Sequence, residues 1–170
     1  MRADRGRVAV AAAMVALCTG AAASAADAPQ RPQAVRRLVV SIPDRKLAVI
    51  ENDAIVSVFA VAVGAPDSPT PVGTFTIVNR IANPTYYKPG RVVGPGAANP
   101  LGTRWIGLNE KGYGIHGTDQ PRSIGSAHSH GCIRLRNRDV ERLFERVRPG
   151  DIVELHAERT PEITQLFGTP

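Results

Sequence analysis

The chain has 170 residues, 43% hydrophobic, 21% charged and 5% aromatic, with a formal net charge of +6 at pH 7. That length suits one domain with its own core and is short for two. With few aromatics and no basic run interleaved with them, the composition argues against a nucleic-acid partner; the mild positive charge fits an acidic polymer, an anionic surface or simply a solvated basic surface.

Residues 1–26 read as a secretory signal peptide. Arg2, Arg5 and Arg7 precede the small apolar run Val8–Leu17, and small residues follow through Ala26, with cleavage expected after Ala25 or Ala26. The apolar run falls short of the ~20 residues that span a bilayer, which disfavours an uncleaved anchor. Leu17, where a lipoprotein signal would carry a small residue, disfavours lipidation of Cys18. The leader implies export to an oxidising compartment. Loss of the leader removes three arginines and one aspartate, lowering the charge to about +4. It also removes Cys18, so Cys132 becomes the one cysteine of the mature chain. A lone thiol in an oxidising compartment is either buried and inert or kept for its reactivity.

The polar, Pro-containing stretch 27–35 reads as a linker, and the fold is expected to begin at Arg36. Leu38, Val40 and Ile42 alternate with their neighbours. A turn at Pro43-Asp44-Arg45 leads to a strand over Lys46–Ile50, and Glu51-Asn52-Asp53 turns into the β-branched run Ile55–Val63. After a Pro-rich loop, Gly73–Val78 is a further strand. Asn79–Pro100 is read as a long loop, either a substrate lid or a plain surface excursion. Arg104–Leu108 and Tyr113–His116 are strands. Val140, Leu143, Phe144 and Val147 fall at helical spacing, with Asn137 as N-cap and Pro149-Gly150 as the stop. Ile152–Leu155 completes the set, and 158–170 is a tail without a clear pattern. The expected fold is mainly β: a sandwich of short, largely antiparallel strands with one clear helix after Cys132.

Three of the four histidines, His116, His128 and His130, crowd around Cys132. A free thiol has a pKa near ~8.5 and is a weak nucleophile at neutral pH, but an imidazole that takes its proton produces a thiolate–imidazolium pair. His116, at a strand end, suits this role if its strand lies beside that of Cys132, and His130 is a second candidate. Gly131 gives the backbone room to turn its N–H groups toward an oxyanion. A zinc site is the alternative: His128, His130 and Cys132 would share one face of an extended strand, with His116 as a fourth ligand. A structural role in packing is the third reading.

The stretch Ser129-His130-Gly131-Cys132-Ile133-Arg134-Leu135-Arg136-Asn137, preceded by Ile115-His116-Gly117-Thr118, resembles the active-site signature of the L,D-transpeptidase catalytic domain (YkuD-like) family. Thr70-Pro71-Val72-Gly73-Thr74-Phe75 and Asn99-Pro100-Leu101-Gly102 resemble further stretches of that family, and the likeness runs from about Arg36 to Leu155. It implies a catalytic domain over 36–157 that acts on peptidoglycan stem tetrapeptides and, with the leader, an address in the bacterial periplasm or cell envelope. Cys132 would attack the carbonyl at the L-centre of diaminopimelate and expel D-Ala. The thioester would pass to an amine of a second stem or of an envelope protein. His116 would be the base and acid, oriented by the Gly117 carbonyl. Ser129, His130, Gly131 and Cys132 would line the oxyanion pocket, and Arg134 would meet a substrate carboxylate or buttress the site. Arg91 and Arg122 are further candidates for the stem's carboxylates. The resemblance implies neither metal nor other cofactor, and a monomer is expected. Water as acceptor would make the enzyme an L,D-carboxypeptidase, and a non-catalytic metal- or peptidoglycan-binding envelope protein is the remaining alternative. His128 receives no role, Trp105 is read as core packing, and His156 as structural or exposed.

Overall fold

A computed structural model describes residues 36–168; the leader and linker expected at 1–35 and the last two residues lie outside this range. The first strands follow the apolar alternation. β1 (Arg36–Ser41), β2 (Lys46–Glu51) and β3 (Ala54–Ala60) form an antiparallel meander. The β2–β3 turn has two central residues, Asn52 (φ 50°) and Asp53 (φ 63°), residue types that tolerate the left-handed region such a hairpin turn demands. The β-branched run 55–63 does not stay one strand. It leaves the sheet at Val61, and β4 (Val63–Gly64) belongs to a separate ribbon.

β5 (Gly73–Ala82) reaches further than its apolar core suggests. The stretch read as a long loop contains a hairpin, β6 (Tyr86–Lys88) and β7 (Arg91–Val93). Its root is tied down by buried Asn99, whose Nδ2 donates to the Pro84 carbonyl (2.7 Å) and lies within 3.2 Å of the Val93 and Gly94 carbonyls, while its Oδ1 accepts from Leu101 N (2.8 Å). β8 (Arg104–Leu108), β9 (Gly114–His116), β10 (Ala127–Ser129), β11 (Ile133–Arg134), α1 (Asn137–Arg146) and β12 (Ile152–His156) follow.

The main sheet is mixed, curled and eight-stranded, in the order β11-β9-β8-β5-β12-β1-β2-β3. The expected mainly-β, largely antiparallel architecture is observed. β12 inserts between β5 and β1 and runs parallel to β1, so the last strand closes the sheet onto the first. One face of the first hairpin (Leu38, Val40, Leu47, Val49) joins Ile106, Ile115, Ile133 and the α1 residues Val140 and Leu143 in the main core.

The other face of that hairpin is also covered. Residues 161–167, placed by the sequence in a patternless tail, form α2 (Pro161–Phe167), which packs Ile163 on Val39 and Ile50. Its start is well specified: Thr160 Oγ1 accepts from Ile163 N, Pro161 opens the helix, and Glu162 meets Arg37 Nη2 at 2.8 Å. Ile163 is fully buried. Ile163→Ala is expected to lower unfolding free energy by about 2–4 kcal/mol, measured by urea denaturation at neutral pH; a loss below about 0.5 kcal/mol would place α2 outside the cooperative core.

Candidate active site

The site is built where three short strands meet. β9 pairs antiparallel with β8, with Trp105 opposite His116, and parallel with β11, with Ile133 opposite Ile115 and Arg134 opposite His116. Residues paired in register share a face, and faces alternate along a strand. Ile115 and Ile133 are buried in the core. His116 and Arg134 therefore point to the other face, and Cys132, the residue just before β11, lies close enough that the Arg134 charge acts on both its thiol and the His116 ring. Arg134 is locked from its far side as well, exchanging backbone hydrogen bonds with Ala62 at 2.9 Å in each direction.

His116 is only 5% exposed. Its Nδ1 lies 2.6 Å from the Gly117 carbonyl oxygen. A carbonyl only accepts, so Nδ1 carries the proton and Nε2 presents a lone pair. Trp105 stacks on the ring, centroids 5.8 Å apart and planes 24° from parallel. Sequence reading gave Trp105 to the core; only the β8–β9 register reveals it as the wall of the imidazole site. Burial pulls the His116 pKa down to about 4, aided by the nearby Arg134 charge and outweighing the Gly117 bond.

Cys132 is a partly buried free thiol whose Sγ lies 3.4 Å from the Gly112 carbonyl. Burial pushes its pKa up; the Gly114 backbone bond and the Arg134 charge pull the other way and are the weaker influences. Thiol up and imidazole down together favour a neutral resting pair over the thiolate–imidazolium pair expected from sequence.

The loop that carries Cys132 is set by Ser129 and Gly131. Buried Ser129 donates its hydroxyl to the Cys132 carbonyl (2.5 Å) and accepts from Gly131 N (3.1 Å). Gly131 has φ 100°, and a Cβ there would strike the Tyr113 ring. This turn breaks the extended alternation assumed for the zinc reading. β10 ends at Ser129, His128 and His130 are exposed, and among the described residues no three His, Cys, Asp or Glu side chains converge as metal ligands. The Gly131 N–H, expected in the oxyanion pocket, is occupied by Ser129.

The other candidates lie apart from this cluster in role or place. Arg122 and His128 line an open cleft of about 580 Å³ formed by the loop between His116 and Cys132. Arg91 is exposed on the β6–β7 hairpin. His156 ends β12 beside Glu154, Nε2 to Oε2 3.4 Å. Arg134 Nε is buried without a hydrogen-bond partner among the described residues. Asn137, expected to cap α1, is its first helical residue: Arg136 is the N-cap, with no side-chain cap bond.

A mainly-β domain that sets a buried, single-tautomer imidazole on one short strand and a free thiol just before the strand paired with it is a scaffold for cysteine acyl chemistry. The chain belongs to the L,D-transpeptidase catalytic domain family (YkuD), whose profile matches residues 35–155. It is 40% identical over 118 residues to a Bacillus subtilis protein named as an L,D-transpeptidase, YqjB, covering 66% of each chain. With a Bacillus licheniformis protein named as the L,D-transpeptidase YkuD it shares 41% over 119 residues, 70% of this chain and 64% of the other. The chain thus spans just under two thirds of the length of these relatives. The fold resembles an L,D-transpeptidase from Mycobacterium smegmatis (TM-score 0.62, 23% identity, 73% of this chain and 59% of that one). It also resembles L,D-transpeptidase 3 from Mycobacterium tuberculosis in complex with a faropenem-derived adduct (TM-score 0.60, 24% identity, 74% and 61%).

Between about pH 6.5 and 4 the unfolded chain binds a proton at His116 that the folded protein does not. Stability is therefore lost as pH falls through that window. Wild type should lose about 3 kcal/mol more than His116→Gln between pH 7 and pH 4, read from urea midpoints at both pH values. Parallel losses in the two proteins would show that His116 is not held neutral.

Proposed function

We propose that the protein is a peptidoglycan L,D-transpeptidase that uses Cys132 as nucleophile and His116 as proton shuttle. The observation that carries this reading is the buried His116 imidazole, its Nδ1 proton committed to the Gly117 carbonyl and its Nε2 left with a lone pair, on the strand paired with the one that Cys132 precedes. The Cys132 thiol attacks the carbonyl at the L-centre of diaminopimelate in a stem tetrapeptide, and its proton passes to His116 Nε2. Collapse of the tetrahedral intermediate breaks the bond to D-Ala, whose amine leaves with that proton. An acceptor amine then attacks the thioester, gives a proton to His116, and the sulfur departs and recovers it.

A neutral resting pair suits this sequence, because the base takes the proton as the carbon–sulfur bond forms. The Cys132 N–H is the oxyanion donor in this reading, since Ser129 already holds the Gly131 N–H, and exposed His130 is left to meet the substrate from the solvent side. Arg134, whose charge acts at both Cys132 and His116, and Arg122 in the neighbouring cleft are suited to the carboxylates of the stem. The faropenem-derived adduct of the mycobacterial relative is support by kinship: a β-lactam carbonyl also acylates a nucleophile. With residues 1–26 as an export leader, the substrate is met in the cell envelope, where a second stem or a lysine of an envelope protein serves as acceptor.

Incubation with disaccharide tetrapeptide, followed by product mass analysis, tests the reading. Wild type should release D-Ala and form a cross-linked dimer, and Cys132→Ala neither. Tripeptide without dimer would assign water as the acceptor and make the enzyme a carboxypeptidase; intact tetrapeptide would overturn the acyl-transfer mechanism.

A further inference from the structure

Asn137 is the first residue of α1, yet its side chain turns away from the helix it was expected to cap. Its Oδ1 accepts from two backbone N–H groups on other elements, Thr118 N at 3.1 Å and Thr103 N at 3.3 Å. Two glycines make this approach possible. A Cβ at Gly102 or at Gly117 would overlap Asn137 Oδ1. The oxygen thus sits where the start of β8, the segment after His116 and the start of α1 converge.

Thr118 N belongs to the same planar peptide group as the Gly117 carbonyl. One end of that plane accepts from His116 Nδ1 at 2.6 Å, and the other donates to Asn137 Oδ1 at 3.1 Å. Rotation of the plane would swing the carbonyl off the imidazole. The preceding peptide is fixed at both ends as well, its carbonyl by Leu135 N (2.8 Å) and its Gly117 N–H by the Arg104 carbonyl (3.1 Å). Of the four bonds that hold these two peptides, two involve side chains: the His116 ring itself and Asn137.

We infer that Asn137 is a positioning residue for His116, acting through the Gly117–Thr118 peptide and not on substrate. The inference rests on the reading of His116 as the proton shuttle. Without the Oδ1 acceptor, the Thr118 N–H is left to find water or rotate, and the Gly117 carbonyl no longer dictates which ring nitrogen holds the proton. The fraction of His116 with a basic Nε2 falls, so turnover falls, while groups that bind the stem peptide are untouched.

The test compares wild type, Asn137→Ala and Asn137→Asp, each checked by thermal melting. Nitrogen-15 NMR of the His116 ring, recorded in a Cys132→Ala background so that it needs no substrate, reports the tautomer. Steady-state kinetics on tetrapeptide report kcat and KM. Wild type should show a single Nδ1–H tautomer. Asn137→Ala should show a mixture, with kcat down about 10- to 100-fold and KM nearly unchanged. Asn137→Asp, which keeps an acceptor oxygen in place, should restore the tautomer and most of kcat. A folded Asn137→Ala with the wild-type tautomer overturns the inference. So does an Asn137→Asp with the mixed tautomer, including where Asn137→Ala fails to fold. Failure of the transpeptidase reading looks different: wild type is then inactive while the NMR comparison still decides the role of Asn137.

Discussion

The hydrogen bond from His116 Nδ1 to the carbonyl of the next residue is the constraint on which the proposed chemistry depends. A buried imidazole without a partner would be free to exchange tautomers and rotate, and one of its two neutral tautomers would carry a donor instead of a lone pair at Nε2. A backbone carbonyl fixes this without adding a charge. A carboxylate in that place would stabilise imidazolium and raise the pKa; the neutral carbonyl does so too weakly to offset desolvation, and the pKa settles at about 4. The imidazole is therefore unprotonated at neutral pH, and the cost of keeping it so is carried by the fold.

The fold carries that cost with ordered layers around the ring. Trp105 closes one face. The parallel pairing of β9 with β11 sets Arg134 beside the imidazole, and Ala62 braces Arg134 from the far side. Behind the site, Ile115 and Ile133 anchor the same two strands in the main core. A single-residue shift in the β9–β11 register would send His116 inward and Ile115 outward, so the apolar alternation of these short strands also fixes the face on which the imidazole stands.

Much of this was legible in the sequence. The alternation of Leu38, Val40 and Ile42, the Asn52-Asp53 turn and the helical spacing of Val140, Leu143 and Phe144 rest on local rules, and local rules held there. Cys132 stood out by elimination, and His116 by its place at a strand end. What escaped was set by distant contacts. α2 had its local signals, Thr160, Pro161, Glu162 and Gly168, but seven residues show too little periodicity until the Val39–Ile50 face they cover is known. Asn137 carried a correct N-cap residue type in front of a helix, yet Thr103 and Thr118, 34 and 19 residues earlier, claim its side chain. Trp105 shows its role only through the register that sets it opposite His116. The Gly131 turn undid the shared face of His128, His130 and Cys132 because a positive φ is a tertiary choice that a glycine permits but does not announce.

The claim that Cys132 and His116 act as one acylating unit is tested most directly by intact-protein mass spectrometry with a penem such as faropenem. Wild type at neutral pH should gain one adduct, mapped to the peptide containing Cys132. His116→Gln should acylate at least about 100-fold more slowly, while iodoacetamide still alkylates its thiol and so shows it to be accessible. An adduct formed as fast without His116, or carried on another residue, would contradict the account.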